Sequence, residues 1–352
     1  MLFLKVPKKD GERVRRELVR DGIISNEYPI VSEGGSILFP VTRSFGGFDS
    51  VERECERISK PSKSLKEALS GVLDEGELEH LTTSFDIIGD IAIVEIPKEL
   101  ETREGEIGKA LLDVHRNIRT VLKKMGPMEG EFRVRKVKVI AGEDRTTTLY
   151  KESGAVMELD VAKVYFSVRL SHERTRIASL VKPNERVLAL FAGVGPYALV
   201  IAKKMPSAKI VAIELNPDAV AYMEKNVARN RVRNVETVLG DARAVVMEKY
   251  RDFADRVTMP LPKGAQDFLD VAFAGVKDGG IVHFYTFAGA ERPFEDARMI
   301  VERAAEKFGV GVKIESERIV RPYSPQTVQV VLDIIVRKKR GETKKAGKSK
   351  TK

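Results

Sequence analysis

The 352-residue sequence contains one cysteine, no tryptophan and few amide side chains. Because a disulfide needs two thiols, the lone Cys55 excludes an intramolecular disulfide framework and any cysteine-rich zinc module, and it fits a reducing cytosol. No apolar run approaches the roughly 18 residues that a membrane span requires. The opening residues, MLFLKVP, become charged too early for a secretory signal. We therefore expect a cytoplasmic protein that is not inserted in a membrane.

Net positive charge is almost missing from most of the chain. The formal charge is +9, but residues 337–352 contain nine basic and one acidic side chain, which leaves +1 for the rest. Their composition predicts a basic disordered tail, either a solubilising terminus or a nonspecific phosphate contact. A case for RNA binding depends instead on the local groups of cations at residues 116–138 and 169–176. The total is misleading because the acidic residues of 71–112 offset these cations.

Three segments with different patterns precede the tail. Residues 1–70 predict a small α/β domain that ends after a serine-, lysine- and proline-rich linker at 59–64. Residues 71–160 predict an α+β domain, with a helix over 105–124 and a basic alternating strand over 132–140. Residues 161–336 alternate strands with helices, which predicts a doubly wound α/β sheet. The last two strands are joined by too short a link for a crossover helix and should pair antiparallel.

A glycine loop, residues 191–198 (FAGVGPYA), lies between a strand and a helix of this third segment. Gly193 and Gly195 let a ligand approach the backbone, and the helix N-terminus favours an anionic group. The loop satisfies the dinucleotide-binding pattern, and an acidic residue, Glu214, follows at the usual distance. An NAD-dependent oxidoreductase is therefore one interpretation.

Two features favour a different cofactor. Pro196 opens the helix without the N–H that a pyrophosphate normally uses. Carboxylates also follow two successive strands, Glu214 after the second and Asp241 after the third. The first suits ribose hydroxyls and the second an adenine amine. This layout, together with an antiparallel last strand, resembles the class I S-adenosylmethionine-dependent methyltransferases, which are Rossmann-like.

Five segments resemble the archaeal and eukaryotic tRNA (guanine-37 N1) methyltransferase family. They are residues 132–135 (FRVR), 161–174 (VAKVYFSVRLSHER), 191–197 (FAGVGPY), 279–285 (GGIVHFY) and 318–325 (RIVRPYSP). The resemblance extends over residues 1–336 in layout and is most specific over 130–336. It implies a methyltransferase domain at 161–336, a tRNA-binding domain at 1–70 and a substrate-recognition domain at 71–160.

The same resemblance implies a reaction and its participants. S-adenosylmethionine would supply a methyl group to N1 of guanosine 37, and the partner would be tRNA, held by its anticodon loop and outer corner. Glu173 would remove the N1 proton and Arg133 would stabilise the charge that develops on O6. Each residue has an alternative: Glu173 could cap the helix that starts near Ser171, and Arg133 could be a solvated cation. We expect a monomer and no metal.

Further contacts are carried over by position. The family contacts S-adenosylmethionine at positions that correspond to Tyr165, Arg174, Phe191, Gly193, Gly195, Glu214, Leu215, Asp241, Ala242 and Pro260, with Arg174 on the methionine carboxylate. Substrate contacts correspond to Arg133, Arg135, Arg169 and Pro262.

The chain departs from the family pattern at two positions. Ala189 stands where an aspartate is frequent, and Pro260 stands where an asparagine is common. A proline offers no side-chain amide, so we expect a pocket with fewer polar constraints. The subtype that also methylates the tricyclic 4-demethylwyosine at C7, giving isowyosine, fits such a pocket. The alternative is a sister enzyme that transfers an aminocarboxypropyl group in wyosine biosynthesis, and a noncatalytic RNA-binding protein is a further one.

Overall fold

The computed structural model describes residues 1–25, 27–55, 64–128 and 130–338. Residues 59–63 of the predicted linker, and the predicted tail beyond residue 338, lie outside the described residues. The chain divides into two compact units, residues 1–68 and 69–352. The predicted domain boundaries at residues 70 and 160 stay predictions.

The first unit is a four-stranded antiparallel sheet with a helix packed on it. Its strands are β1 (Leu2–Pro7), β2 (Val31–Glu33), β3 (Ser36–Pro40) and β4 (Asp49–Glu52), in the order β2-β3-β1-β4. Helix α1 (Gly11–Arg20) buries Val14 and Leu18, and its Arg13 and Arg16 pair with glutamates one turn away on the same helix. A short helix, α2 (Leu65–Leu69), follows.

A second four-stranded sheet occupies the next part of the chain. After helix α3 (Glu75–His80) come β5 (Asp86–Ile88), β6 (Ile91–Val94), α4 (Glu104–Val114), β7 (Thr120–Lys124) and β8 (Val137–Gly142). The strand order follows the chain order, and α4 is the crossover between the parallel strands β6 and β7. A separate hairpin, β9 (Thr147–Glu152) and β10 (Ala155–Asp160), completes this part.

Two sequence predictions for this part are wrong at their ends. The predicted helix over 105–124 stops at Val114, and residues 120–124 form the buried strand β7. The apolar spacing continues through this strand because a fully buried strand is apolar at successive positions, which imitates a helical period. The predicted strand over 132–140 starts only at Val137, because residues 130–133 form a turn in which Arg133 has a φ of 52°.

A seven-stranded sheet forms the rest of the second unit, as the alternating pattern predicts. Its strands are β11 (Arg186–Leu190), β12 (Lys209–Glu214), β13 (Val235–Leu239), β14 (Ala254–Met259), β15 (Val276–Gly289), β16 (Val310–Ser324) and β17 (Thr327–Lys338). Their order is β13-β12-β11-β14-β15-β17-β16. Strands β11 to β15 are mutually parallel, whereas β17 runs antiparallel to both of its neighbours. This arrangement confirms the class I methyltransferase fold and its antiparallel last strand.

Helices cover both faces of this sheet. Helices α5 (Ser171–Leu180), α6 (Pro196–Lys204) and α7 (Pro217–Asn230) pack on one face, and α8 (Ala242–Lys249), α9 (Leu269–Gly275) and α10 (Pro293–Phe308) pack on the other. The carboxyl ends of β11 to β14 therefore meet at one edge, where an open α/β sheet binds its ligands. None of the helices among the described residues is long and apolar enough to cross a membrane.

Candidate active site

The glycine loop leaves β11 in a conformation that requires glycine. Gly193 and Gly195 have φ values of 55° and 87°, in the left-handed region that ordinary side chains avoid. A Cβ atom on Gly195 would lie 2.9 Å from Cγ of Met223. Pro196 then occupies the first position of α6, where its missing N–H costs nothing. The loop thus turns tightly and presents backbone toward the carboxyl edge.

Glu214, the last residue of β12, ties this loop to the start of α7. One carboxylate oxygen accepts the N–H of Gly193 at 2.8 Å, and the other accepts the N–H groups of Leu215 at 2.9 Å and Asn216 at 2.8 Å. A carboxylate has about four acceptor positions. Three are therefore occupied by backbone of this chain, and one position is left for a ribose hydroxyl, where the sequence suggested two.

Asp241 follows β13, and an aromatic pair joins the residue after β11, Phe191, to Phe268 in the segment after β14. The Asp241 side chain caps α8 by accepting the N–H of Ala244 at 2.9 Å, which uses one of its two oxygens. Phe191 packs edge-on against Phe268, with ring centroids 4.9 Å apart. The Arg243 guanidinium lies over the Phe268 ring at 5.3 Å. An aromatic surface and a carboxylate therefore lie at the same carboxyl edge of the sheet, which suits a flat base with an exocyclic amine.

Arg133 reaches the loop that follows β14 from the other sheet. Its Nη2 donates to the carbonyl of Lys263, 130 residues away in sequence. Burial lowers the pKa of Arg133, and the Tyr165 side chain is close enough to oppose that effect. The Tyr165 carbonyl in turn lies 3.7 Å from the position a Cβ on Gly193 would take. Arg133 is thus not simply a solvated cation, since its guanidinium is bonded to the loop after β14 and lies close to the Tyr165 side chain.

Glu173 lies in the first turn of α5 and is buried, with 7% of its surface exposed. Its Oε1 accepts from the Tyr285 hydroxyl at 2.7 Å and from Nη2 of Arg176 at 2.7 Å, while Oε2 accepts from Nε of Arg176 at 2.9 Å. No side chain caps α5, so the capping interpretation of Glu173 is wrong. The Tyr285 ring packs edge-on against Tyr197, which belongs to the first turn of α6 after the glycine loop.

Arg176 begins a chain of buried charges behind Glu173. It also pairs with Asp333 at 2.6 Å and 3.1 Å. Asp333 lies 2.6 Å from Nδ1 of His283, whose Nε2 lies 2.7 Å from Nη1 of Arg256. Arg256 pairs with Glu185 at 2.9 Å. These six residues form a continuous series of contacts, which we call the buried ion chain: Glu173, Arg176, Asp333, His283, Arg256 and Glu185.

Sequence reasoning missed the buried ion chain. The sequence indicates a core-strand position for His283, which is fully buried, but it indicates no partner for His283 and does not single out Asp333. The signal that could have found them is a polar residue inside an apolar run, IVHFY for His283 and VVLDIIV for Asp333. Such a residue needs a buried partner.

Arg174 is placed differently from the expectation. It is 1% exposed, and its Nε and Nη2 both donate to the carboxylate of Glu152, at 2.7 Å and 2.5 Å, while Nη1 donates to the carbonyl of Ser167. The guanidinium also lies over the Phe166 ring at 5.3 Å. This bidentate pair joins α5 to the β9–β10 hairpin. All three guanidinium nitrogens of Arg174 therefore have partners within the chain, and its role on the methionine carboxylate stays a prediction.

The expected substrate-binding residues lie in two places. Pro260 and Pro262 are half-buried in the loop that follows β14, beside the Lys263 carbonyl that Arg133 holds. Arg169 is exposed and donates to Asp86 at 2.8 Å, and Arg135 is half-buried.

Other cations of the second sheet are already neutralised. Lys123 pairs with Glu101 at 3.0 Å and Glu104 at 3.2 Å, and Lys138 also pairs with Glu104. The acidic segment therefore removes part of the RNA-binding face that the basic strand suggested. Among the described residues, no group of three or more histidine, cysteine, aspartate or glutamate side chains is arranged to hold a metal ion.

Comparison with known families matches three successive parts of the chain. The tRNA methyltransferase 5 N-terminal domain matches residues 4–49, the TYW2 N-terminal domain matches residues 65–146, and the TRM5/TYW2 methyltransferase domain matches residues 148–314. The last of these contains the glycine loop, Glu214, Asp241 and Glu173.

Individual relatives cover nearly the whole chain. The tRNA (guanine(37)-N(1))-methyltransferase Trm5b of Pyrococcus abyssi is 41% identical over 335 residues, which are 95% of this chain and 99% of that protein. A solved complex of aTrm5 and tRNALeu has a TM-score of 0.74 at 33% identity, covering 95% of this chain and 99% of that one.

Two more distant relatives have related activities. The tRNA (guanine(37)-N(1))/4-demethylwyosine(37)-methyltransferase Taw22 of Nanoarchaeum equitans is 33% identical over 63% of this chain and 90% of its own length. A tRNA(Phe) (4-demethylwyosine(37)-C(7)) aminocarboxypropyltransferase of Methanocaldococcus jannaschii is 34% identical over 70% of this chain and 95% of its own. Identity and coverage are higher for the guanine methyltransferase. The chain belongs to the archaeal Trm5b-type tRNA (guanine-37 N1) methyltransferase family.

Proposed function

We propose that this protein transfers a methyl group from S-adenosylmethionine to N1 of guanosine 37 in tRNA. The observation that carries the proposal is the convergence of Arg133, Tyr165 and the loop after β14 on the carboxyl edge of the methyltransferase sheet. A cytoplasmic, monomeric enzyme is part of the proposal.

The residues of the carboxyl edge fit the cofactor. Beside Gly193, where a Cβ would lie 3.7 Å from the Tyr165 carbonyl, a ligand can approach the backbone, and Glu214 keeps one acceptor position for a ribose hydroxyl. Asp241 has a second oxygen for an adenine amine, and the adjacent Ala242 and the ring of Phe191 lie at the same carboxyl edge. When bound there, S-adenosylmethionine supplies an electrophilic methyl group on a sulfonium.

In the proposed reaction, a bond forms between N1 of guanine and the methyl carbon while the carbon–sulfur bond breaks. The N1 proton goes to Glu173, and its Oε2 is the better acceptor because it has one hydrogen bond where Oε1 has two. The electron density that moves onto O6 faces the Arg133 guanidinium, which the Lys263 carbonyl holds in place. Arg135 and Arg169 would contact phosphates of the anticodon loop.

A second methylation, at C7 of 4-demethylwyosine, is supported by Pro260. This residue is half-buried in the loop after β14 and brings no side-chain donor toward the base. A larger tricyclic ring therefore loses no hydrogen bond there that guanine would have made. The aminocarboxypropyl transferase is the second candidate, and Glu173 and Arg133 favour methyl transfer because a proton must leave N1.

Mass spectrometry of tRNA nucleosides tests these assignments. After incubation with S-adenosylmethionine, a transcript with guanosine 37 should yield 1-methylguanosine, and tRNA that contains 4-demethylwyosine should yield isowyosine. Glu173→Gln should lower the single-turnover rate constant by about 100-fold or more. Arg169→Gln is the matched control, since it should raise KM for tRNA and leave kcat unchanged. An aminocarboxypropyl product, or an active Glu173→Gln variant, would overturn the proposal.

A further inference from the structure

Glu173 shares its arginine with a second buried carboxylate. The Arg176 guanidinium donates to both oxygens of Glu173 from Nη2 and Nε, and to both oxygens of Asp333 from Nη2 and Nη1. Asp333 is 5% exposed and lies on β17, which is 157 residues from Arg176 in sequence. An arginine that faces one carboxylate would neutralise it. An arginine between two carboxylates leaves the group of three with one net negative charge.

The partners of Asp333 fix its charge. Because an arginine can only donate, the contact of Arg256 with Nε2 of His283 makes Nε2 the acceptor. Nδ1 of His283 then carries the proton and donates it to Asp333 at 2.6 Å. Burial lowers the pKa of His283, in agreement with a neutral ring, and the Ser316 hydroxyl donates to Asp333 at 2.8 Å. Asp333 is therefore a carboxylate whose acceptor positions are filled.

Such an arrangement is costly as a means of stabilising the fold. Removing several charges from water costs several kcal/mol per ion, and well-packed apolar residues are often at least as stabilising as a buried ion pair. The position of the buried ion chain suggests a different use, because one of its two ends is Glu173. The side chain of Glu185, the other end, is 13% exposed, and Arg256 is its one ion-pair partner among the described residues.

We propose that Asp333, oriented by His283, is a positioning residue that keeps Glu173 basic and correctly directed by sharing the charge of Arg176. This inference rests on the proposed role of Glu173 as the base. Arg176 holds the carboxylate through Oε1 and Oε2 and leaves an acceptor position of Oε2 for the N1 proton. Without the charge of Asp333, Arg176 would act on Glu173 alone and weaken it as a base.

The polar groups around Glu173 come from three elements. Arg176 faces it from its own helix α5, Tyr285 from β15, and Tyr197 from α6 at a longer distance. Behind Arg176, Asp333 from β17 contributes the only carboxylate that the described residues place against that guanidinium besides Glu173. Asp333 is therefore the charge whose removal should change the proton affinity of the site.

The test is the pH dependence of the single-turnover methylation rate constant with saturating tRNA and S-adenosylmethionine. The reaction needs unprotonated Glu173, so the rate constant rises with pH along an acid limb. For Asp333→Asn we expect that limb to move to lower pH by about one unit, and the plateau to fall by about tenfold. Asp255→Asn is the matched control. Asp255 lies on β14 of the same sheet and pairs with a cation, Lys277, but neither residue belongs to the buried ion chain. The control should keep the wild-type limb.

A second variant keeps the inference testable if Asp333→Asn does not fold. Ser316→Ala removes one hydrogen-bond donor from Asp333 at a half-buried position. Because the hydroxyl no longer offsets part of the negative charge of Asp333, that charge acts more strongly on Arg176. It should move the acid limb to higher pH by a few tenths of a unit, opposite in sign to Asp333→Asn. If Asp333→Asn and Ser316→Ala both keep the acid limb of the wild-type protein while Glu173→Gln is inactive, the role of Asp333 is overturned and Glu173 remains the base. An active Glu173→Gln variant would instead overturn the base itself.

Discussion

The hydrogen bonds of Glu214 allow a quantitative prediction for Glu214→Gln. The carboxylate accepts three backbone N–H groups, from Gly193 on one oxygen and from Leu215 and Asn216 on the other. In glutamine one of these oxygens becomes an NH2 group, which can only donate. If the amide oxygen keeps Leu215 and Asn216, the N–H of Gly193 faces a donor and loses its acceptor. Leaving such a group unsatisfied costs about 1–3 kcal/mol.

That cost can appear in two measurements. If the glycine loop keeps its conformation, the free energy of unfolding falls by about 1–3 kcal/mol, and if the loop opens, the dissociation constant for S-adenosylmethionine rises by about 5- to 150-fold. Chemical denaturation gives the first quantity and isothermal titration calorimetry the second. Asp218→Asn is the control, because that carboxylate is half-exposed and should change both by less than about 0.5 kcal/mol. A Glu214→Gln protein with unchanged stability and unchanged affinity would refute the reasoning.

Two further predictions concern buried polar groups of the second unit. Oγ1 of Thr258 is buried without a hydrogen-bond partner among the described residues, so Thr258→Val should raise the free energy of unfolding by about 1 kcal/mol. Thr120→Val, which removes a bond to the Glu143 carbonyl, should lower it by about 1–2 kcal/mol in the same denaturation assay, and equal effects would contradict the argument. Burial lowers the pKa of His283, so below pH 6.5 the unfolded chain binds a proton that the folded protein does not. Stability should therefore fall by up to about 1.4 kcal/mol per pH unit as the pH drops below about 6.5. His283→Gln should reduce this slope while exposed His172→Gln keeps it, and identical slopes in the two variants would speak against a neutral His283.

The sequence was most informative where local pattern and tertiary structure agree. The alternation of apolar runs with turns predicted each strand of the seven-stranded sheet, because in a doubly wound fold every strand is bounded by its own turn, but it left out helix α8 between β13 and β14. The helix predicted through residue 124 was wrong because the buried strand β7 is as apolar as a helical face. Hydrophobic periodicity cannot distinguish a buried strand from the apolar face of a helix unless the neighbouring strand β6 is known.

The candidate site was predictable to the extent that its residues are local to a motif. Gly193, Gly195 and Glu214 follow from the strand–loop–helix pattern, and the structure brings them together. The partners of Arg174 and Arg176 did not follow, because Glu152 and Asp333 come from distant strands. Only the pairing of β15 with β17 places His283 beside Asp333, and no local pattern contains that register.

Tyr165 connects the two halves of the site. Its carbonyl lies next to Gly193 of the glycine loop, and its side chain lies close to Arg133. The Arg133 guanidinium in turn donates a hydrogen bond to the loop after β14. A ligand that shifts Tyr165 therefore changes the surroundings of both the cofactor and the base to be methylated. Any resulting change in affinity has to be reciprocal, since binding free energies form a closed cycle. If bound cofactor tightens tRNA binding by some factor, bound tRNA tightens cofactor binding by the same factor, whichever arrives first.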